Sequence, residues 1–325
     1  MIVARLLRPG AAALVLLTAG STWASASTAT DSAAGVIVGV TGHVTVERPA
    51  ANARTATLGL RLDPSDVVVV DREASAEIYL KGGGVVHLRD ATRFEVPKAA
   101  DAPAHAVTQA KFSSGSIAQL ESGLWVLNDP QGSLLVSPMR GNGGWEPGDS
   151  AVPLTPRYET LTTPSAQFVW NGGPAKARVV VARRREVIWK SAPTAPGTIL
   201  DAGAALALAN GEVYTWWLEP EAGGPPLTAG MPFRMAATDV VERTKAVENE
   251  LRSVSGADQD PSAVDYLRVA FYAGAASWTR VLDLAAQMPP SDARSRALEA
   301  AAAGLRLDSR AAEMLAARLG ADRKR

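Results

Sequence analysis

The sequence predicts a mainly β chain that ends in an α-helical module. Three observations carry this expectation. Apolar and polar residues alternate in short runs from Gly35 to Pro97, cut at intervals by Gly, Asp and Pro. The same alternation returns between Ser150 and Ala237, and from Thr238 onward apolar residues step by four and three instead. A period of two belongs to strands with one buried face, and a period near 3.6 to amphipathic helices. The expected organisation is residues 1–26 as an export signal, 27–35 as a linker and 36–140 as a first β domain. A Gly-rich linker (141–149), a β-sandwich (150–237) and a helical module of hairpins (238–325) follow.

The first element reads as a secretory signal. Arg5 and Arg8 form its positive start, Ala11 to Ala19 its apolar core, and Ala24-Ser25-Ala26 a small-x-small cleavage site. An apolar run of about ten residues spans roughly 15 Å, half of a bilayer core. The alternative is an uncleaved signal that anchors the chain in the inner membrane. No later segment stays apolar long enough to span, so a periplasmic or secreted protein is expected. The 33 Lys and Arg balance the 33 Asp and Glu, and losing Arg5 and Arg8 leaves the mature chain slightly acidic. A nucleic-acid partner would need a basic excess on one domain, and the charge balance argues against one. With no cysteine there is neither a disulfide nor a lipid attachment point, so the cores must stand on packing. Roughly 300 mature residues suffice for that.

In the first β region Val44 and Val46 share one face, opposite His43, Thr45 and Glu47. Ala76, Ile78 and Leu80 oppose Glu77 and Tyr79, and Val86 and Leu88 oppose Val85 and His87. Phe94 and Val96 oppose Arg93 and Glu95. Each run is expected to bury one side only. Val67 to Val70 is apolar on both faces and reads as a central strand, and Lys81-Gly82-Gly83-Gly84 as a hairpin turn. A small sandwich or barrel follows from this pattern. Strands are expected to continue from Ser116 to Val136, with Leu124-Trp125-Val126-Leu127 completing the domain.

These residues resemble the FecR (ferric-citrate regulator) periplasmic domain family. That family reads Gly-x-Val-x-Val, a Gly-Asp-x-Val step, an Asp-Gly-Ser hairpin and a closing Phe-x-Val. Gly42 to Val46 fit the opening, Asp63 to Val67 the step and Phe94 to Val96 the close. Ser65 stands where the step has glycine, and Gly82-Gly83-Gly84 replaces the Asp-Gly-Ser turn. The resemblance implies a periplasmic binding or signalling role. Its best-known members carry a cytoplasmic helical segment that touches a sigma factor; a signal peptide in that place implies a stand-alone adaptor or scaffold instead.

From Ser150 to Ala237 the alternating pairs are Phe168 and Trp170, Val179 and Val181, Val187 and Trp189, then Tyr214, Trp216 and Leu218, and finally Phe233 and Met235. Turns fall at Asn171 to Pro174 and Ala209 to Gly211. The stretches Thr163 to Trp170 and Gly211 to Trp216 resemble immunoglobulin-like or fibronectin type III-like sandwiches of bacterial surface proteins. The third region begins with the stripe Val240, Thr244, Val247, Leu251, Val254 behind a capping box of Asp239 and Glu242. Further helices are expected from Ser262 to Gly274, Ser277 to Met288, Ser291 to Ala303 and Ser309 to Leu319. Their paired arrangement resembles tetratricopeptide-type hairpins.

No catalytic constellation, metal set or cofactor motif stands out. His43 and His87 fall on polar strand faces and His105 in a loop, which makes them surface histidines. Asp63, Asp66 and Asp71 lack the spacing of a calcium loop and read as turn carboxylates that accept backbone N–H bonds. Glu121, Glu159 and Glu186 have no partner in the local sequence. Arg183-Arg184-Arg185 reads as a hairpin tip, Trp145 as a peg between domains, and Trp278 as core. Trp217 is the candidate binding residue, because it faces away from Tyr214, Trp216 and Leu218, beside Val213 and Thr215. A non-enzymatic protein is therefore expected, binding envelope proteins through its helical tail. The alternative is a cell-wall or polysaccharide binding module that uses exposed aromatic residues of the β domains.

Overall fold

The computed structural model describes residues 33–49, 51–98, 107–109, 113–129, 150–254 and 261–322. The expected signal peptide, His105, Trp145 and the Gly-rich linker lie outside them. Strands β1 (Gly35–Thr41), β4 (Arg61–Leu62), β6 (Ser75–Leu80), β7 (Gly84–Arg89) and β9 (Val107–Gln109) form one sheet in the order β4-β1-β6-β7-β9. Strands β2 (Val44–Arg48), β3 (Ala51–Thr55), β5 (Val67–Val70) and β8 (Arg93–Glu95) form another in the order β3-β2-β5-β8. All pairings in both are antiparallel. Ile37, Val44, Val46, Val68, Val70, Ala76, Ile78, Leu80, Val86 and Phe94 meet in one core between them, as their alternation predicts. Gly82 and Gly83 take φ of +98° and +99° in the β6–β7 hairpin.

The stretch expected to complete this unit with strands is instead a helix, α1 (Ser114–Asn128). Leu124 to Leu127 read locally as a strand, but Ile117, Leu120, Leu124 and Leu127 recur at helical spacing and pack inward. Ser113 opens the helix, its hydroxyl accepting the Ser116 N–H at 3.2 Å. The helix covers the face of the β6–β7 sheet that was expected to be polar. Val38, Tyr79 and Val85 are buried in one cluster with α1 and the C-terminal helices, and Glu77 is only 2% exposed. His87 is half-buried against Glu77 at 3.0 Å, rather than a surface histidine.

The second β unit has a three-stranded sheet of β10 (Val152–Thr155), β12 (Gln167–Asn171) and β15 (Leu200–Asp201). Its five-stranded sheet runs β11 (Thr160–Leu161), β17 (Met231–Met235), β16 (Val213–Pro220), β13 (Ala177–Arg183) and β14 (Glu186–Lys190). Only the β11–β17 pair is parallel. Phe168, Trp170, Val179, Val181, Tyr214, Trp216, Leu218, Phe233 and Met235 fill the core. Arg184 and Arg185 sit at the β13–β14 turn with φ of +50° and +78°, so the arginine triplet does reach a hairpin tip. Val187 and Trp189 do not share a face. A register shift opposes Trp189 to Val181 and Val187 to Ala182, which leaves Val187 exposed.

The helical region holds α2 (Thr238–Val254), α3 (Pro261–Gly274), α4 (Trp278–Gln287), α5 (Asp292–Leu305) and α6 (Ser309–Asp322). Helix α2 begins at Thr238, so Asp239 lies inside its first turn and pairs with Arg243 at 3.0 Å rather than capping from outside. Trp278 is buried, and a Cβ on Gly304 would stand 2.2 Å from its indole. Helices α3 and α1 cross closely at Gly123 and Gly274. A Cβ there would lie 1.6 Å from the Ala270 oxygen and 1.9 Å from the Gln119 oxygen respectively. One core cluster thus joins residues of both β units, Tyr79 and Val169 among them, to α1 and to helices α2 to α6. The described residues from Ala33 to Asp322 pack as a single unit. Among the described residues no sheet closes into a barrel, and no helix is long and apolar enough to cross a membrane.

Candidate functional site

A concavity opens where the second β unit meets the helices. It has a volume of about 310 Å³. The loop after β11 supplies Thr162, Thr163 and Ser165 to its lining, and β12 supplies Gln167. Tyr272 comes from α3, and Ser277, Thr279, Arg280 and Asp283 from α4 and its lead-in.

Glu159 lies beneath this cleft and is 3% exposed. Its carboxylate accepts the Thr279 N–H at 2.8 Å, the Thr279 hydroxyl at 2.6 Å and the Thr155 hydroxyl at 3.0 Å. The two threonine hydroxyls also touch, and either can donate to the other only in place of its bond to the carboxylate. Helix α4 starts after Ser277, whose side chain makes no capping bond. A carboxylate from the β unit therefore caps the helix, satisfying an N–H that would otherwise be orphaned and meeting the positive end of the helix dipole. Burial pushes the Glu159 carboxyl above the usual glutamate range, although its hydrogen bonds act the other way.

The other charges of the cleft are answered as well. Arg280 pairs with Asp283, and its guanidinium stands 5.5 Å from the Tyr272 ring. The Tyr272 hydroxyl donates to Glu248 at 2.9 Å, and burial first, then Glu248, raises its pKa to about 12. What the cleft offers a visitor is mostly hydroxyl and amide groups, with one guanidinium–carboxylate pair at one side.

Compared with known families, curated proteins and solved structures, the chain matches none.

The residues singled out from the sequence lie elsewhere. Val213, Thr215 and Trp217 share the outer face of the five-stranded sheet, with Val213 48% exposed and the other two half-buried. Trp217 stands opposite Val180, and its indole N–H donates to Glu219 at 3.2 Å. Glu219 in turn pairs with Lys190 at 2.9 Å. His43 bonds Asp71 at 2.7 Å on an exposed turn. Asp66 accepts the Asp63 N–H at 2.9 Å and an Arg48 contact at 3.2 Å, a turn carboxylate as expected, though a buried one. Glu121 accepts the Gly82 N–H at 3.3 Å, and Glu186 sits exposed at the β13–β14 turn. Among the described residues no group of three or more His, Asp or Glu is arranged to hold a metal. The sequence reading passed over Thr279, Arg280 and Asp283. The available signal was weak: Ser277-Trp278-Thr279-Arg280 opens a helix with hydroxyl and charged residues around a core tryptophan.

Proposed function

We propose that this chain is a non-enzymatic binding adaptor of the cell envelope, FecR-like in its first β unit and immunoglobulin-like in its second. It takes its partner in the cleft beside Glu159. The observation that carries this reading is the cleft's chemistry. Its carboxylates and its guanidinium are already engaged, so it is suited to hydrogen-bonded recognition more than to proton transfer. Because α4 forms one wall, an envelope protein docked there touches the helical tail and a β unit together.

The FecR-like reading has physical support in the turns. The family places glycine where the chain must take positive φ, and Gly42 stands at φ +73° and Ser65 at φ +70°. The serine thus occupies a backbone position of the kind that favours glycine in that family. For the immunoglobulin-like reading the support is two sheets of three and five strands around Phe168, Trp170 and Trp216.

The test is a cross-linking pull-down from intact envelopes with the full mature chain and two variants. Thr163→Trp, at an exposed position on the cleft wall, is expected to abolish recovery of one specific protein, and Trp217→Ala to leave it unchanged. If Thr163→Trp recovers the same proteins as the parent, the cleft is not the docking site. The second reading, wall polysaccharide binding on the outer sheet face, rests on the exposure of Val213 beside Trp217. It requires the parent, and not Trp217→Ala, to pellet with purified wall polymer.

A further inference from the structure

Next in the chain to Glu159, three arginines gather around one exposed tyrosine. Tyr158 is 36% exposed and takes φ +53°. The Arg306 guanidinium stands 4.0 Å from its ring centroid and that of Arg157 5.5 Å. Arg306 ends helix α5 and is itself left-handed at φ +54°. Arg234 is exposed on β17, with its backbone N–H bonded to the Glu159 oxygen at 3.0 Å. It lines a depression of about 220 Å³ together with Tyr158, Thr160, Val213 and Pro232.

Nothing acidic answers these charges. The Glu159 carboxylate is turned to Thr155 and Thr279, Asp308 caps helix α6 through the Ala311 N–H at 2.7 Å, and Glu212 pairs with Arg184 at 3.3 Å. Among the described residues, none of the three arginines pairs with a carboxylate. Arg157 donates to the Pro153 oxygen at 3.2 Å, while its Nε is buried without a partner. Burial lowers its pKa, the neighbouring Tyr158 acts the other way, and the like charge of Arg306 lowers it again.

Arg306 takes its left-handed backbone as a helix end, and Tyr158 takes one without such an ending, so that the two meet at a surface stack of like charges that packing alone does not favour. Stacking holds the Arg306 guanidinium by its flat face and leaves its N–H edge free, and that planar fork matches a carboxylate or phosphate. The more buried Arg157, bonded to Pro153, adds positive charge from beneath. The depression is smaller than pockets for drug-sized ligands, which begin at about 300 Å³, and its Val213 and Pro232 floor suits the apolar face of one ring. We propose that Arg157, Arg234 and Arg306 around Tyr158 form a binding site for the anionic groups, carboxylate or phosphate, of an acidic polysaccharide. The choice of a glycan rests on the envelope location proposed above; the anion site rests on the cluster alone.

The experiment measures binding of the full mature chain to polygalacturonate, to polyphosphate, to neutral dextran and to polyglutamate, at low and at high salt. Salt-sensitive binding to polygalacturonate is expected, with dextran unbound. Arg234→Ala should weaken it about tenfold, the scale of one lost charge-assisted hydrogen-bonding group. Arg306→Gly is the decisive variant, because glycine relieves the left-handed position. It should keep or raise the melting temperature while losing the polyanion. Polyphosphate bound in preference to polygalacturonate would keep the site and assign phosphate as its group. Tighter binding to polyglutamate, equal binding to dextran, or unchanged affinity in Arg306→Gly would each overturn the proposal. Thr163→Trp and Trp217→Ala should bind the polyanion like the parent, so failure of either earlier reading is told apart from failure of this one.

Discussion

Glu159 shows how much one side chain can decide. It sits in the turn between β10 and β11, is nearly sealed from water, and holds the first turn of α4 by its Thr279 contacts. Its carboxyl lies above the ordinary value of 4.5 because burial penalises the charge more than the donors relieve it. A native pKa above the unfolded one means that the native chain binds the proton more tightly. This contribution is therefore fully present below the ordinary glutamate range and fades as pH rises through the native value. Glu159→Gln removes the ionisation and keeps one acceptor oxygen. Melting temperatures of parent and variant between pH 4 and 8 should diverge in the variant's favour as pH rises. A difference independent of pH would mean that the carboxyl does not titrate as described. Thr279→Val should cost about 1–3 kcal/mol in denaturant unfolding at neutral pH, since it strips one donor from a buried carboxylate.

At the scale of elements, the crossing of α1 and α3 is the least expected feature. Glycine inside a helix is ordinarily a weakness of about 1 kcal/mol relative to alanine. Here Gly123 and Gly274 let two backbones approach so closely that added methyl groups would collide with the Ala270 and Gln119 carbonyls. Gly123→Ala should therefore reverse the usual sign and destabilise by about 1–3 kcal/mol or more, because the obstruction is backbone and cannot step aside. The midpoint of urea unfolding would report it. A stabilised Gly123→Ala protein would show that the helices do not cross at this residue. The sequence around α1 reads as strands for a related reason. Its apolar stripe is short of polar contrast, and its contacts are made by residues more than a hundred positions away.

On the scale of the whole molecule, the helices complete the β units rather than trailing them. Val38, Tyr79 and Val85 on one sheet, and Leu154 and Val169 on another, share a core with α2 to α6. Removing 238–325 would expose all of these at once, together with the inner stripe of α1. Burial of a large apolar side chain is worth about 1.5–3 kcal/mol, and a domain's net stability is about 5–15 kcal/mol, so the loss should exceed what remains. A chain ending at Ala237 is expected to be recovered insoluble, or to bind an apolar dye strongly when refolded. A soluble truncated protein with a cooperative melting transition would contradict this packing. For the same reason, binding to the tail is better probed by surface substitutions such as Thr163→Trp than by deletion.

The local periodicities of this chain were sufficient for most of its elements. The alternation of Val44, Val46, Ala76, Ile78, Trp216 and Leu218 and the stripe through Val247 and Leu251 each describe a face that must be buried, whatever buries it. Turn chemistry was legible for the same reason: at Gly82, Gly83 and Arg184-Arg185 the backbone demand is met within a few residues. Only the tertiary structure decided what covers each face. Tyr79, Glu77 and His87 lie opposite a core face and so read as solvated, yet a helix 40 residues on and another almost 200 residues on close over them. The candidate sites were hidden for the same reason. Glu159 meets Thr279, and Tyr158 meets Arg306, across more than a hundred residues of chain. Periodicity reports how a residue relates to its own element, whereas charge pairing, desolvation and stacking depend on which elements meet, and that is decided by the packing of the whole.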